Sequence, residues 1–180
     1  MKREEFEHVV RAAAAIVEDE IVVVGSQAIH GQFSSPPEAL LVSRELDVYP
    51  LSAPERAAEI DAAIGDGSLF DSTYGYYAHG VGPETPQAPA GWQERLVRVE
   101  LPPRGQQSSA TAWCMEIHDL VLAKLAAGRP HDLEFAAEAI RGRLVDREQL
   151  ALGLELMPKT RRGVTAKRLG GLLARLDRQG

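Results

Sequence analysis

Apolar residues recur at helical spacing from the start of the chain. Phe6, Val9, Val10, Ala13, Ile16 and Val17 predict an amphipathic helix over residues 4–18. Ile21-Val22-Val23-Val24 is then a short β-branched run stopped by Gly25, which predicts a buried strand. Ser26 has the chemistry of an N-cap, and 27–33 can continue as a helix until Ser34-Ser35-Pro36-Pro37 breaks it. A second strand is expected around Leu46 and Val48, ending at Pro50. Pro54 suits the first turn of a helix continuing through 56–64.

Residues 65–93 follow no period. They carry Gly65, Gly67, Gly75, Gly80, Gly82 and Gly91, with Pro83, Pro86 and Pro89 and the aromatic residues Tyr74, Tyr76, Tyr77 and Trp92. So long a stretch inside a domain suits either a functional lid or a well-packed surface loop. Strict alternation returns over Arg95–Leu101, predicting a half-buried strand. A turn through Pro102-Pro103 and 105–109 leads to another strand candidate, Thr111–Ile117. A helix from Asp119 ends at Gly128, and Pro130 opens the next, which runs through Leu133, Phe135, Ala136 and Ile140. Two further helices are expected near 146–156 and 163–177, the last with Leu169, Leu172, Leu173 and Leu176 at core spacing. The order of elements implies an α/β (α+β) class: a small mixed sheet flanked by helices, with a helical C-terminal part. Residues 1–117 are the expected core and 118–180 a helical region packed on it.

Composition narrows the picture. A chain of 180 residues with 44% apolar content can bury a real core. No run of 18 apolar residues exists, so no membrane span is expected, and the first residues meet acids at once rather than a signal region. The single cysteine, Cys114, has no internal partner for a disulfide and sits in an apolar run, as a core residue would. A cytoplasmic protein is the expectation. The net charge of −6 hides an asymmetry: Lys159, Arg161, Arg162, Lys167, Arg168, Arg175 and Arg178 face a single acid, Asp177, in the final segment. That segment is either a solvated helix face or a local contact for a phosphate backbone.

Three features carry candidate chemistry. A buried strand running into Gly25-Ser26 can present backbone N–H groups and a hydroxyl to a phosphate, although a plain turn looks the same in sequence. Glu45 and Asp47, two apart on a strand, share a face opposite Leu46 and Val48. Like charges side by side repel, so they suit either a solvent-facing edge or a divalent ion such as Mg²⁺. Finally Asp119, Lys124, Arg129 and Asp132 crowd one helix–turn–helix stretch, with Lys124 expected near the face of Asp119. Lys124 can neutralise phosphate charge, while Asp132 can fix that lysine or act as a base; an ordinary salt-bridge network between helices is the plainer account. His8, His30, His79, His118 and His131 show no paired metal-ligand spacing and read as structural or surface residues. Tyr76 and Tyr77 suit stacking on a base or packing within the loop.

The runs Val22-Val23-Val24-Gly25-Ser26-Gln27-Ala28 and Ser43-Arg44-Glu45-Leu46-Asp47-Val48 resemble the glycine-serine plus acid-x-acid signature of the polymerase-β-like nucleotidyltransferase superfamily. More closely, the chain resembles a bacterial family of that fold related to AbiEii-type toxin nucleotidyltransferases. Tyr76–Thr85, Gly91–Leu96 and His118–Asp132 carry that likeness, which covers roughly residues 20–140. The resemblance implies that Gly25 and Ser26 contact a nucleoside triphosphate, that Glu45 and Asp47 ligate Mg²⁺, and that Lys124 and Arg129 lie near the nucleotide with Asp132 as a partner. It further implies a hydroxyl acceptor, tRNA or another RNA, and an antitoxin protein as partner. Two departures stand out: the first acid is glutamate where the superfamily has aspartate, and the third superfamily carboxylate has no clear match beyond Glu100 on a strand or Asp132 as a substitute. A module of the same fold that binds nucleotide without turnover is the alternative.

Overall fold

The computed structural model describes residues 1–178. Its helices are α1 (Arg3–Val17), α2 (Ala57–Ile64), α3 (Leu69–Tyr74), α4 (Ile117–Ala127), α5 (Pro130–Arg141), α6 (Arg147–Glu155) and α7 (Lys159–Asp177). Five strands, β1 (Ile21–Val24), β2 (Glu45–Pro50), β3 (Tyr77–Gly80), β4 (Val97–Leu101) and β5 (Ala110–Cys114), form one mixed sheet in the order β3-β2-β1-β5-β4. The α/β class with a small mixed sheet, flanking helices and a helical C-terminal part is therefore what the chain adopts.

The strand order explains the sequence pattern. β1 lies between β2, antiparallel, and β5, parallel, and all four of its residues are buried, so a continuous β-branched run is what that position needs. β2 alternates at its start, with Leu46 and Val48 fully buried and Glu45 and Asp47 partly exposed. α1 buries Phe6, Val9, Val10, Ala13 and Val17 and packs on α2. α4 is nearly all apolar and is the hub of the C-terminal helices, touching α5, α6 and α7. One cluster of buried side chains runs from Phe6 through β1 to Leu122, Phe135 and Leu169, joining sheet and helices.

Several expectations are corrected. Ser26–Gly31 is a 3₁₀ turn rather than an α-helix over 27–33, and its N-cap is Gly25, with no side-chain cap. Six residues closed by bonds such as Ala28 N–H to the Gly25 carbonyl suit that tighter form. The aperiodic stretch 65–93 contains two elements of its own, α3 and β3. The strand before Leu101 starts at Val97, since Trp92–Arg95 forms a 3₁₀ turn. β5 stops at Cys114, because Glu116 accepts from His118 N–H and Asp119 N–H and caps α4.

Candidate functional site

The register of β1 against β2 places Val24 opposite Asp47, which brings the acid strand to the end of the first strand where Gly25 turns away. The approach is close. A Cβ built on Gly25 falls 2.1 Å from Asp47 Oδ2, and Gly25 has φ +67°, a conformation that favours glycine. Asp47 thus seats its carboxylate directly over the turn.

Across a narrow cleft of about 100 Å³ stand Lys124 from α4, Arg129 from the α4–α5 turn and Asp132 from the first turn of α5. Thr85, Pro86 and Gln87 close one side, and Val24, Met115 and Leu120 supply an apolar floor. Asp132 is completely buried and accepts from Lys124 Nζ at 2.9 Å and from Arg129 Nε at 2.7 Å. Burial alone would raise its pKa, but those two cations outweigh it and hold the carboxyl below its ordinary value. Lys124 also lies 5.6 Å from the centre of the Phe135 ring, so its ammonium is fixed on two sides. Arg129 stays mostly exposed; Asp132 raises its pKa first, and the fields of Asp47 and Glu45 add to that.

The two acids of β2 behave differently. Asp47 is pushed upward by burial and further by Glu45, while His79 and Lys124 partly restrain it. Its Oδ1 meets His79 Nδ1 at 2.9 Å. Glu45 sits one step outward on the same face, outside the lining of the cleft, and accepts from the Tyr77 hydroxyl at 3.2 Å. Among the described residues neither acid has a lysine or arginine ion-pair partner, whereas Asp132 has both kinds. Two adjacent carboxylates without a lysine or arginine partner are donors that suit a hard divalent ion completed by phosphate oxygens.

Not every candidate converges. Ser26 is half-buried at the start of the 3₁₀ turn and does not line the cleft. Asp119 points away from Lys124 and forms a bidentate pair with Arg95 at 2.8 and 2.9 Å, because five helical residues turn through roughly 140°. Glu100 is exposed on β4, at the sheet edge remote from β2, and pairs with Arg98. Tyr76 donates or accepts with His8 Nδ1 at 2.9 Å inside an aromatic cluster with Phe70 and Tyr74, a packing role. Cys114 is fully buried with its thiol pushed up to about 12, hence inert.

The sequence offers Tyr77 for stacking or loop packing and His79 as a structural or surface residue; it does not place either beside the acids. β3 runs parallel to β2 with Glu45 opposite Tyr77 and Asp47 opposite His79, so both side chains stand beside the acids. The signal was present: Tyr77-Ala78-His79-Gly80 alternates as Glu45-Leu46-Asp47-Val48 does, with Ala78 fully buried as Leu46 is.

Residues 4–152 match the model of a family described as nucleotidyltransferases of unknown function (DUF6036). That span holds every residue of the cleft and stops within α6, short of α7. No curated protein and no solved structure matches the chain.

Proposed function

The chain belongs to that nucleotidyltransferase family, and from this premise we propose that it moves a nucleotide from a nucleoside triphosphate to a hydroxyl acceptor in the cleft between β2 and α4. The observation that carries the reading is the Asp47 carboxylate seated over Gly25 and facing Lys124 and Arg129 across one small cavity. An acceptor oxygen bonds to the α-phosphorus, the bond to the β-phosphate breaks, and pyrophosphate leaves with the electron pair while the hydroxyl proton passes to solvent.

Each residue has a part in that exchange. Gly25 lets the turn come against Asp47, and its place in the cleft lining offers the phosphates main chain rather than the Ser26 hydroxyl, which stands outside that lining. Lys124 and Arg129 offset the negative charge that grows on the leaving pyrophosphate. Asp132 is a positioning residue: both its oxygens are engaged by those cations and its pKa is lowered, so it aims them rather than taking a proton. Glu45 and Asp47 would hold Mg²⁺, which supplies charge neutralisation and alignment of the in-line displacement.

The resemblance to AbiEii-type toxins suggests tRNA as acceptor and an antitoxin as partner. Exposed bases support an RNA acceptor: Lys167 lies on the face of α7 opposite the buried Thr165, Leu169 and Leu172, Arg175 on its flank, and Arg178 just past the helix end. The test is incubation with divalent ion and each labelled triphosphate, with and without total tRNA. Label should appear in the acceptor and vanish in Asp47→Ala.

One observation favours a second reading, a nucleotide-binding module without turnover. Among the described residues no three His, Cys, Asp or Glu side chains already converge as a metal site. Saturable triphosphate binding with no label reaching RNA or protein would establish that reading in place of the first.

A further inference from the structure

Helix α5 ends on an arginine in a position that favours glycine. Arg143 N–H bonds the Ile140 carbonyl and Leu144 N–H bonds the Ala139 carbonyl, the paired closure of a helix whose left-handed residue is usually glycine. Arg143 takes that place at φ +55°, with Gly142 beside it in ordinary helical geometry. Arg143, Arg141 and Arg147 line a cavity of about 480 Å³ with Asp177, where Val145 and Leu176 supply apolar wall. We propose that this cavity takes one nucleotide unit of the RNA acceptor, with arginines on its phosphates, at the end of α5 remote from the reacting cleft. The inference rests on the reading of RNA as the acceptor.

Charge is the first argument. Three arginines face one aspartate in this lining, on a chain whose net charge is −6. Asp177 is already engaged by Arg147, at 2.7 and 3.3 Å, and Arg141 pairs with Glu138 outside the lining. Arg143 is exposed and has no ion-pair partner among the described residues. A guanidinium fork matches the spacing of phosphate oxygens. Backbone conformation is the second argument. An arginine held where glycine is less strained, with no partner in the fold, points to a contact outside it. Size is the third: the volume lies within the roughly 300–1,000 Å³ of pockets that hold organic ligands, so a sugar fits against Val145 and Leu176. Place is the fourth. α5 carries Asp132 in its first turn and Arg141 in its last, about 14 Å apart along the axis at ~1.5 Å per residue. One strand of a duplex advances ~3.4 Å per nucleotide, so roughly four nucleotides of acceptor reach from cleft to cavity.

The test is equilibrium binding of labelled deacylated tRNA to the full chain, read by fluorescence anisotropy across a salt series. Arg143→Gly removes the guanidinium and suits the left-handed backbone, so its melting temperature should be no lower than wild type. It should nonetheless bind tRNA several-fold more weakly and lower the salt slope by about one, with triphosphate binding retained. Asp177→Asn removes the one acid of the lining and should tighten tRNA binding, a direction that a purely structural role does not produce. Inorganic phosphate at matched ionic strength should leave bound tRNA in place; displacement would assign the cavity to free phosphate and overturn the proposal. If Arg143→Gly binds tRNA as wild type does, with the same salt slope, the cavity has no part in RNA binding and RNA as acceptor stands. If the wild-type chain binds no tRNA at any salt, both fall.

Discussion

At Gly25 two constraints coincide, a positive φ and an oxygen of Asp47 where a side chain would begin. Gly25→Ala should therefore cost about 1–3 kcal/mol and displace Asp47, seen as a lower urea midpoint together with lost label transfer. The carboxyls on either side of the cleft should oppose each other in acid. Asp132 has a lowered folded pKa, so its stabilisation is complete at neutral pH and disappears as pH falls below about 4. Asp47 has a raised folded pKa, so it binds its proton more tightly when folded and detracts from stability once pH exceeds its unfolded value. Asp47→Asn should raise the melting temperature at pH 7 while abolishing transfer, and the gain should fade toward pH 3. Asp132→Ala leaves Lys124 buried without its acid and should cost about 3–5 kcal/mol, measured by chemical denaturation at pH 7. These roles were partly legible in sequence. The Gly-Ser turn, the acid pair and Asp132 as the partner of Lys124 were visible as types, and Arg129 with Asp132 is an i,i+3 pair, whereas the meeting of that cluster with Asp47 depends on the fold.

Elements were read best where apolar periodicity is strong. α1, β1, α4 and α5 announce themselves because each buries a continuous stripe or run. β3 was invisible because it is a four-residue edge strand with one buried side chain, Ala78, embedded among glycines. α3 is six residues long with none buried, which leaves no pattern to detect. That failure hid where His79 and Tyr77 stand, since both lie on β3. At this scale the docking of α7 is also testable. Arg168 donates to the Leu125 and Ala126 carbonyls at 2.7 and 2.9 Å, at the C-terminal end of α4 where the helix dipole is negative. Arg168→Ala should lower stability by about 1–3 kcal/mol, read from the denaturation midpoint, with triphosphate binding retained.

Over the whole molecule, charge is distributed against the site's needs. The chain is net negative, yet its basic residues concentrate in α7, outside the span that matches the family. Of these, Arg162 and Arg168 are committed to Glu155 and to α4, leaving the exposed Lys159, Arg161, Lys167 and Arg175, with Arg178 just beyond the helix, for an outside polyanion. Lys167→Glu with Arg175→Glu should weaken RNA binding several-fold at low salt, with triphosphate binding unaltered in equilibrium titration.

The segment that closes the cleft is a bridge on two piers. At one end Val81 N–H bonds the Val48 carbonyl; at the other Ala90 N–H bonds Leu156 beyond α6, where Pro89 lies against Gly153. Thr85, Pro86 and Gln87 form the span between. A methyl group at Gly153 forces a shift, since a Cβ there would stand 2.6 Å from Leu122 Cδ1. Bulk added at 153 must displace either the buried Leu122 side chain or α6, and in the second case the far pier moves with the helix, so a surface helix outside the cleft helps to hold the Thr85–Gln87 span in place.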